Sequence, residues 1–389
     1  MRLSVCLIAR NEEQNLPRVL TSVAGVADEV IVTDTGSTDT TPDIASQFGA
    51  HLHHFPWCDD FSAARNHAVD QAQGRWVLWL DADEELLPTS REELLRCIDS
   101  EDTLAYMVVR QDLVRADQPD LYTQMWQLRL FRRDPDLRFR GHCHPNFYPA
   151  IEEIAKDKGM DVKPSTITLR HYGYVGELRP AKQQRALHLL AMELEERPGQ
   201  LYYLVEYGRT LLAVGDARGH EVLAEAAQQI IPHLDEPNTT MPLVAALLEY
   251  LLQVPDDHLP PGLTRDILRD VSRRWFPRGA PLLWIMAKQD FDAGTFEQAE
   301  KDLRSLVQMG KDRSYDQYIS FVPAIIGEDA QLNLAVCLLR QGKLDEAERR
   351  FESLLSSKAR GTEARKNLKA AQQLRRQFGI PGRRSKHKS

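Results

Sequence analysis

The sequence predicts two folds in series: an α/β domain built on a Rossmann-like, mostly parallel sheet, then an all-α domain of helical repeats. Three observations lead there. Up to about Gly176, short apolar β-like runs alternate with helical runs, the pattern of parallel strands joined by helical crossovers. Beyond Arg179 the periodicity is almost entirely helical. The chain has 389 residues, too long for one ordinary domain, and its 42 % hydrophobic and 27 % charged residues exclude wholesale disorder.

The elements follow in order. Leu3–Ala9 reads as a strand. It runs straight into Arg10-Asn11-Glu12-Glu13 with no cleavage-type ending, so a strand is preferred to a signal peptide. Asn15 is placed to cap a helix with Pro17 in its first turn, and Leu16, Val19, Leu20 and Val23 then share one face. Glu29–Thr33 is the next strand, and Thr38–Thr41 the start of a helix carrying Pro42 and Asp43. His51–His54 is a short strand, Ser62–Ala72 a helix stopped by Gly74, and Arg75–Leu80 a strong strand. Further strand-like runs are Ala105–Arg110, Gln127–Arg132 and Thr166–Arg170.

In the second half, Ala293-Gly294-Thr295-Phe296-Glu297-Gln298-Ala299-Glu300 and Gln341-Gly342-Lys343-Leu344-Asp345-Glu346-Ala347-Glu348 resemble each other. Small residues at these positions let antiparallel helices pack closely. Leu334, Ala335, Leu338, Gly342, Ala347 and Phe351 fit the pattern of the tetratricopeptide repeat, which this region resembles. The two glycines stand further apart than one repeat, so an insertion is expected between them. Tyr207-Gly208 through Gly215 reads as a degenerate copy. The expected divisions are 1–178 for the α/β domain, 179–374 for the helical domain, and 375–389 for a basic, disordered tail.

The formal net charge of −8 lacks the basic footprint of a general nucleic-acid binder. No transmembrane segment is visible: the clean apolar runs, such as Trp76–Leu80, are far short of the roughly 20 residues that span a bilayer. The five cysteines are spread without a Cys-x-x-Cys pair, so a reducing cytoplasm is the expected compartment. The tail would allow peripheral contact with the inner membrane face.

The chemistry-bearing residues fall after the strands. Asn11 and Glu13 follow the first strand, Asp34 ends the second and leads into Thr35-Gly36-Ser37-Thr38-Asp39, and Asp81-Ala82-Asp83-Glu84-Glu85 ends the fourth. In a parallel sheet these ends share one edge, where ligands bind. Acids there suit hydrogen bonding to a sugar or base and the holding of Mg²⁺ or Mn²⁺ against a diphosphate. Taken alone, Asp-x-Asp also describes a solvated loop. A haloacid-dehalogenase-type phosphatase would carry it on the first strand, and no Gly-rich phosphate loop follows that strand as a Rossmann dehydrogenase or P-loop enzyme requires.

Four segments in order, Ser4–Glu13, Asp28–Asp39, Asp59–Asn66 and Trp79–Glu84, resemble the family-2 glycosyltransferases of the GT-A fold, in particular the bacterial branch with helical repeats behind the transferase domain. The resemblance covers about the first 180 residues and implies an inverting transfer from a nucleotide-diphospho-sugar, in the first place a UDP-sugar, with Mn²⁺ or Mg²⁺ as cofactor. It implies that Asp34 contacts the base, that Asn11, Glu13 and Asp39 lie near base and ribose, and that Arg65 faces the nucleotide. Asp81 would touch ribose or metal, Asp83 would ligate the metal, and His171, in His171-Tyr172-Gly173-Tyr174, would be a further ligand. A pairing of Arg65 with Asp59 or Asp60 is the plain structural alternative.

The sequence departs from the family at one place. Many relatives carry Glu directly after the position of His144; here it is Pro145. An inverting transfer needs a group to take the acceptor's proton, and His144, Glu152 and Glu153 are the candidates, an exposed helix face explaining the two glutamates equally well. The acceptor is not identified; the concave surface of a repeat domain suits a peptide or protein, as acceptor or as partner. The competing reading is a catalytically inactive, transferase-like protein whose repeats act as a protein-binding scaffold.

Overall fold

A computed structural model describes residues 1–380 apart from 116, 148, 174–178 and 237–241, with the backbone alone at Arg179. It forms two compact units, Met1–Ala226 and Ala227–Ser389.

The first unit begins β1 (Leu3–Ala9), α1 (Leu16–Val23), β2 (Glu29–Asp34), α2 (Thr41–Gln47), β3 (His51–His54), α3 (Phe61–Asp70) and β4 (Trp76–Trp79). It continues with β5 (Glu84–Leu86), α4 (Arg91–Ile98), β6 (Thr103–Leu113), β7 (Tyr122–Arg132), β8 (Phe139–Arg140), β9 (Asn146–Phe147), α5 (Ile151–Lys158) and β10 (Asp161–His171). Eight strands make one sheet in the order β3-β2-β1-β4-β7-β6-β10-β5. The pairs β1–β2, β1–β4, β2–β3 and β6–β10 are parallel, whereas β7 runs antiparallel between β4 and β6, and β5 antiparallel beside β10. The mostly parallel sheet is as expected. β5, which the sequence reading missed, brings the end of the Asp81–Glu85 segment back against His171.

Alternation along β1 sorts side chains to two faces. Leu3, Val5, Leu7 and Ala9 join Leu16, Val19, Leu20 and Val23 of α1 and Leu94, Cys97 and Ile98 of α4 in one buried cluster. Cys6 points the other way, with Ala68 and Val69 of α3 and Ile151, Ile154 and Ala155 of α5. Helices therefore cover both faces, and the strand ends are left to carry function.

Two expected caps are not used. Asn15 has helical backbone angles and no capping bond; its amide nitrogen instead donates to Glu12 Oε2 at 2.7 Å. Thr40, at the head of α2, also caps nothing, because its Oγ1 donates to Glu13 Oε2 at 2.8 Å. Asp60 does cap α3, accepting from the Ala63 amide at 3.0 Å.

Helices α6 (Arg179–Glu196), α7 (Leu201–Ala213) and α8 (Arg218–Ile230) follow. The expected division after residue 178 does not coincide with the division of the structure. Leu189, Leu190 and Tyr203 of α6 and α7 bury with Cys143, against Trp57 and Phe61, and so belong with the sheet. The degenerate copy is a helical hairpin in which Gly208 of α7 lies against Leu223 of α8, too close for a Cβ.

The second unit contains α9 (Pro242–Leu251), α10 (Arg265–Trp275), α11 (Ala280–Asp292), α12 (Phe296–Asp312), α13 (Glu328–Arg340), α14 (Leu344–Ser353) and α15 (Gly361–Gln377). The two look-alike segments are the turns of two hairpins, α11–α12 and α13–α14. Gly294 and Gly342 take φ of 78° and 73° there, where a side chain would be strained. The expected insertion is the stretch 313–327, whose Ile319, Phe321 and Ile326 are buried. The 375–389 tail needs correction at its start: Arg375 and Arg376 belong to α15, and Arg375 Nε donates to Glu348 Oε1 at 2.9 Å. Residues 381–389 lie outside the described residues, as does Tyr174 of the His171 segment.

One turn ties the sheet together. The carboxylate of Glu29, buried at the start of β2, accepts from Ser4 Oγ and from the amides of Gln73 at 2.6 Å and Gly74 at 3.2 Å. A Cβ on Gly74 would stand 2.6 Å from the Ser4 amide nitrogen. Gly74→Ala is therefore expected to cost roughly 2–3 kcal/mol and to lower the melting temperature in thermal denaturation. An unchanged melting temperature would contradict this close approach.

Candidate active site at the carboxyl edge of the sheet

Two loops meet at the ends of β1 and β2. Asn11, at φ 56°, donates its amide to Ser37 Oγ at 2.9 Å and accepts from the Thr38 amide at 2.7 Å. Glu13 accepts from Thr40 Oγ1 at 2.8 Å, and Asp39 from the amides of Glu13 and Thr41. The buried Asp34 accepts from the amides of Gly36 and Ser37 at 3.2 and 3.1 Å. Three of these residues, Asn11, Glu13 and Asp39, fasten one loop to the other, and Asp34 closes its own turn. This interlocking gives the edge a fixed shape.

At the end of β4 the charges are denser. Arg129 of β7 donates from one terminal nitrogen to Asp81 Oδ2 at 2.8 Å and to Glu84 Oε1 at 2.9 Å. Arg65 of α3 reaches Asp81 Oδ1 at 3.3 Å and lies over the rings of Trp79 and Phe139. The alternative pairing of Arg65 with Asp59 or Asp60 is not formed: Asp60 caps α3, and Asp59 accepts from Trp57 Nε1. Burial resists ionisation of Asp81, but Arg129 and Arg65 outweigh it and hold its carboxyl well below the usual range. Burial pushes Glu84 up and lowers Arg65 to about 10. Both oxygens of Asp81 are bound by arginines, so Asp81 belongs to an ion network here.

Asp83 is different. Its Oδ1 lies 3.3 Å from His171 Nε2, and its Oδ2 2.5 Å from Lys182 Nζ of α6. The other ring nitrogen of His171, Nδ1, is 2.6 Å from Asp112 Oδ1 and 2.7 Å from Arg110. Burial and Arg110 oppose a charge on His171, yet Asp112 and Asp83 prevail and push it up to about 9. Burial would also raise Asp83, but His171 and Lys182 hold it well below the usual range.

The donor chemistry of this pair fits a divalent cation. A carboxylate oxygen and an imidazole nitrogen face one another, and a carboxylate fixes the far side of the ring. Gly173 keeps the space beside them open, because a Cβ there would lie 2.3 Å from Asp83 Oδ2 and 2.4 Å from His171 Nε2. Among the described residues no group of three or more His, Cys, Asp or Glu is set to hold a metal. Two protein ligands, with diphosphate oxygens completing the shell, is the arrangement Mg²⁺ and Mn²⁺ commonly take.

His144, at φ 49°, stands with Nε2 3.6 Å from Glu206 Oε2 of α7. Glu152 and Glu153 are exposed in the first turn of α5, while Ile151 and Ile154 face the core. Among the described residues no hydrogen bond or ion pair links either glutamate to this cluster. Sequence reasoning missed Arg110, Asp112, Glu206 and Lys182, and gave Arg129 and Glu84 no role. Arg110 and Asp112 carried a signal, since charged residues that finish a buried strand need partners. Lys182 and Glu206 carried none.

His171, raised from 6.5 to about 9, contributes stability that is complete below about pH 6.5 and is lost as the pH rises through 9. Thermal melts of the metal-free protein are expected to fall between pH 7 and 10. Asp112→Asn should cost roughly 2 kcal/mol at pH 7 and flatten that fall; an unchanged slope would show that His171 is not charged in the fold.

Residues 4–150 match the family model described as "Glycosyl transferase family 2". A "TPR repeat-containing protein" of Synechococcus elongatus is 38 % identical over 223 residues, 56 % of this chain and 54 % of that protein. An "uncharacterized glycosyltransferase" of Rickettsia typhi is 35 % identical over 120 residues, 30 % of this chain and 41 % of that one. The chain thus spans about half the length of the curated relatives it matches. A crystal structure of glucosyl-3-phosphoglycerate synthase from Mycobacterium tuberculosis covers 50 % of this chain and 79 % of its own at 17 % identity, with a TM-score of 0.36. A likeness of that size carries no functional argument. Residues 4–150, which carry most of the sheet and its acidic carboxyl edge, match the family-2 glycosyltransferase model, and helical hairpins follow them along the chain.

Proposed function

We propose that this chain transfers a sugar, with inversion, from a nucleotide-diphospho-sugar to a nucleophilic acceptor. The observation that carries this is the pair Asp83–His171, open beside Gly173 at the carboxyl edge of a family-2 domain. Asp83 and His171 would hold Mn²⁺ or Mg²⁺, and Asp112 keeps the imidazole turned toward Asp83. The cation, when bound, supplies Lewis-acid neutralisation of the leaving diphosphate. The interlocked loops around Asn11, Glu13, Asp34 and Asp39 form the floor under the base and ribose, and the resemblance favours uridine as the base. Arg65 and Arg129 keep Asp81 ionised beside the site, an electrostatic frame that need not rearrange during reaction.

His144 takes the acceptor's proton as the acceptor oxygen bonds to the anomeric carbon and the bond from that carbon to the diphosphate breaks. Burial, with Arg110 and Arg65, lowers His144 and favours the neutral ring that can accept a proton, while Glu206 faces the ring and opposes that shift once the imidazolium forms. This assigns the base to a histidine where relatives carry the following glutamate. The outward-facing Glu152 and Glu153 are set aside. Pro145 is the observation that favours the second reading, a domain that binds nucleotide without turning it over.

Calorimetric titration of UDP is expected to show binding with Mn²⁺ that is lost with EDTA and in Asp83→Asn. Absence of binding in the unaltered chain would overturn the nucleotide-sugar assignment. His144→Ala should slow donor-sugar hydrolysis by about 100-fold and leave UDP affinity unchanged. Hydrolysis equal to that of the unaltered chain would remove His144 from the mechanism, and no hydrolysis in either would favour the inactive scaffold.

A further inference from the structure

We infer that Lys182 is an exchangeable cation of the donor site: it holds the Asp83 carboxylate when no metal is present and moves onto the donor's diphosphate when metal enters. The inference rests on the proposed nucleotide-sugar site and adds to it a residue that no motif points to.

The geometry is specific. Lys182 Nζ lies 2.5 Å from Asp83 Oδ2, while Oδ1 of the same carboxylate faces His171. Both oxygens of the proposed metal ligand therefore already meet a positive or proton-bearing nitrogen. Arg185, one helical turn along α6, comes from the same face: it lies within electrostatic reach of Asp83 and Glu12 and stacks over Phe61. Helix α6 thus brings two cations to the ends of β1 and β4, over a cluster rich in carboxylates.

Charge and mobility decide which cation moves. Arg129 is 5 % exposed and pinned between two carboxylates, and Arg65 is wedged against two rings. Lys182 is 29 % exposed on a flexible four-carbon stem. A divalent cation at Asp83 would repel an ammonium at 2.5 Å from the same carboxylate. The donor's diphosphate brings as much negative charge as the metal neutralises, and one more charge develops on it as the sugar leaves. The displaced ammonium then finds its best partner on a diphosphate oxygen, by a charge-assisted hydrogen bond. The net charge of the site changes little between its empty and loaded states.

This exchange predicts effects of opposite sign from one substitution. In Lys182→Met, Mn²⁺ binding without nucleotide, read by calorimetry or by loss of the free-Mn²⁺ paramagnetic resonance signal, should tighten roughly tenfold. UDP binding at saturating Mn²⁺ should weaken roughly tenfold. Lys182→Arg should keep UDP affinity within about threefold of the unaltered chain. Circular dichroism melts would establish that the variants are folded, and Lys182→Gln gives a polar version of the same test. Tighter Mn²⁺ binding with unchanged UDP binding would overturn the move to the diphosphate. Unchanged affinities for both would make Lys182 a surface staple. A failure of the unaltered chain to bind UDP would overturn the underlying site as well, and is distinguished by needing no variant.

Discussion

Arg129 is the contact on which the carboxyl edge depends. Its side chain holds Asp81 and Glu84 from one terminal nitrogen, at 2.8 and 2.9 Å, in a nearly dry setting. Without it, the buried Glu84 would be left with Arg110 at 3.4 Å and Asp81 with Arg65 at 3.3 Å. Removing one partner of a buried ion network is strongly destabilising, by roughly 3–5 kcal/mol. The network also determines the direction of the chain. With Asp81 fixed and Glu84 drawn inward, the segment turns, forms β5 against β10, and sets Asp83 opposite His171. Arg129 is therefore a folding constraint and the reason that one carboxylate of Asp-x-Asp is internal while the other meets the imidazole.

The two carboxylates do separate work for that reason. Asp81 is matched by arginines whose planar forks and aromatic stacking resist movement. Asp83 is matched by a histidine and a lysine, the two cation types whose charge or position changes most readily. A rigid frame beside an exchangeable pair is what a site needs when it must stay ordered while the charge of its contents changes.

Much of the sheet was legible in the sequence because strand signals there are strong: Leu3–Ala9 and the Trp76–Trp79 core alternate or run apolar, and Gly74 punctuates them. The helical hairpins were legible for the same reason, since Gly294 and Gly342 sit where the backbone turns left-handed. β5 was not, because a three-residue strand rich in acids has no apolar signature and exists only through its pairing with β10. Asp34 and Asp81 were read from position as ligand contacts, but position at a strand end does not say whether a carboxylate is spent on a turn, as in Asp34, or on an arginine, as in Asp81. Lys182 and Glu206 come from helices that local pattern assigns to the repeats, and only tertiary packing carries them to the strand ends.

The most direct test is a crystal structure of the chain grown with UDP and Mn²⁺. The account predicts one Mn²⁺ bound by Asp83 and His171 Nε2 and bridging to the diphosphate, with Arg129 still holding Asp81 and Glu84. A metal ligated elsewhere, or a nucleotide bound away from the carboxyl edge with Asp83 and His171 still paired to each other, would contradict it.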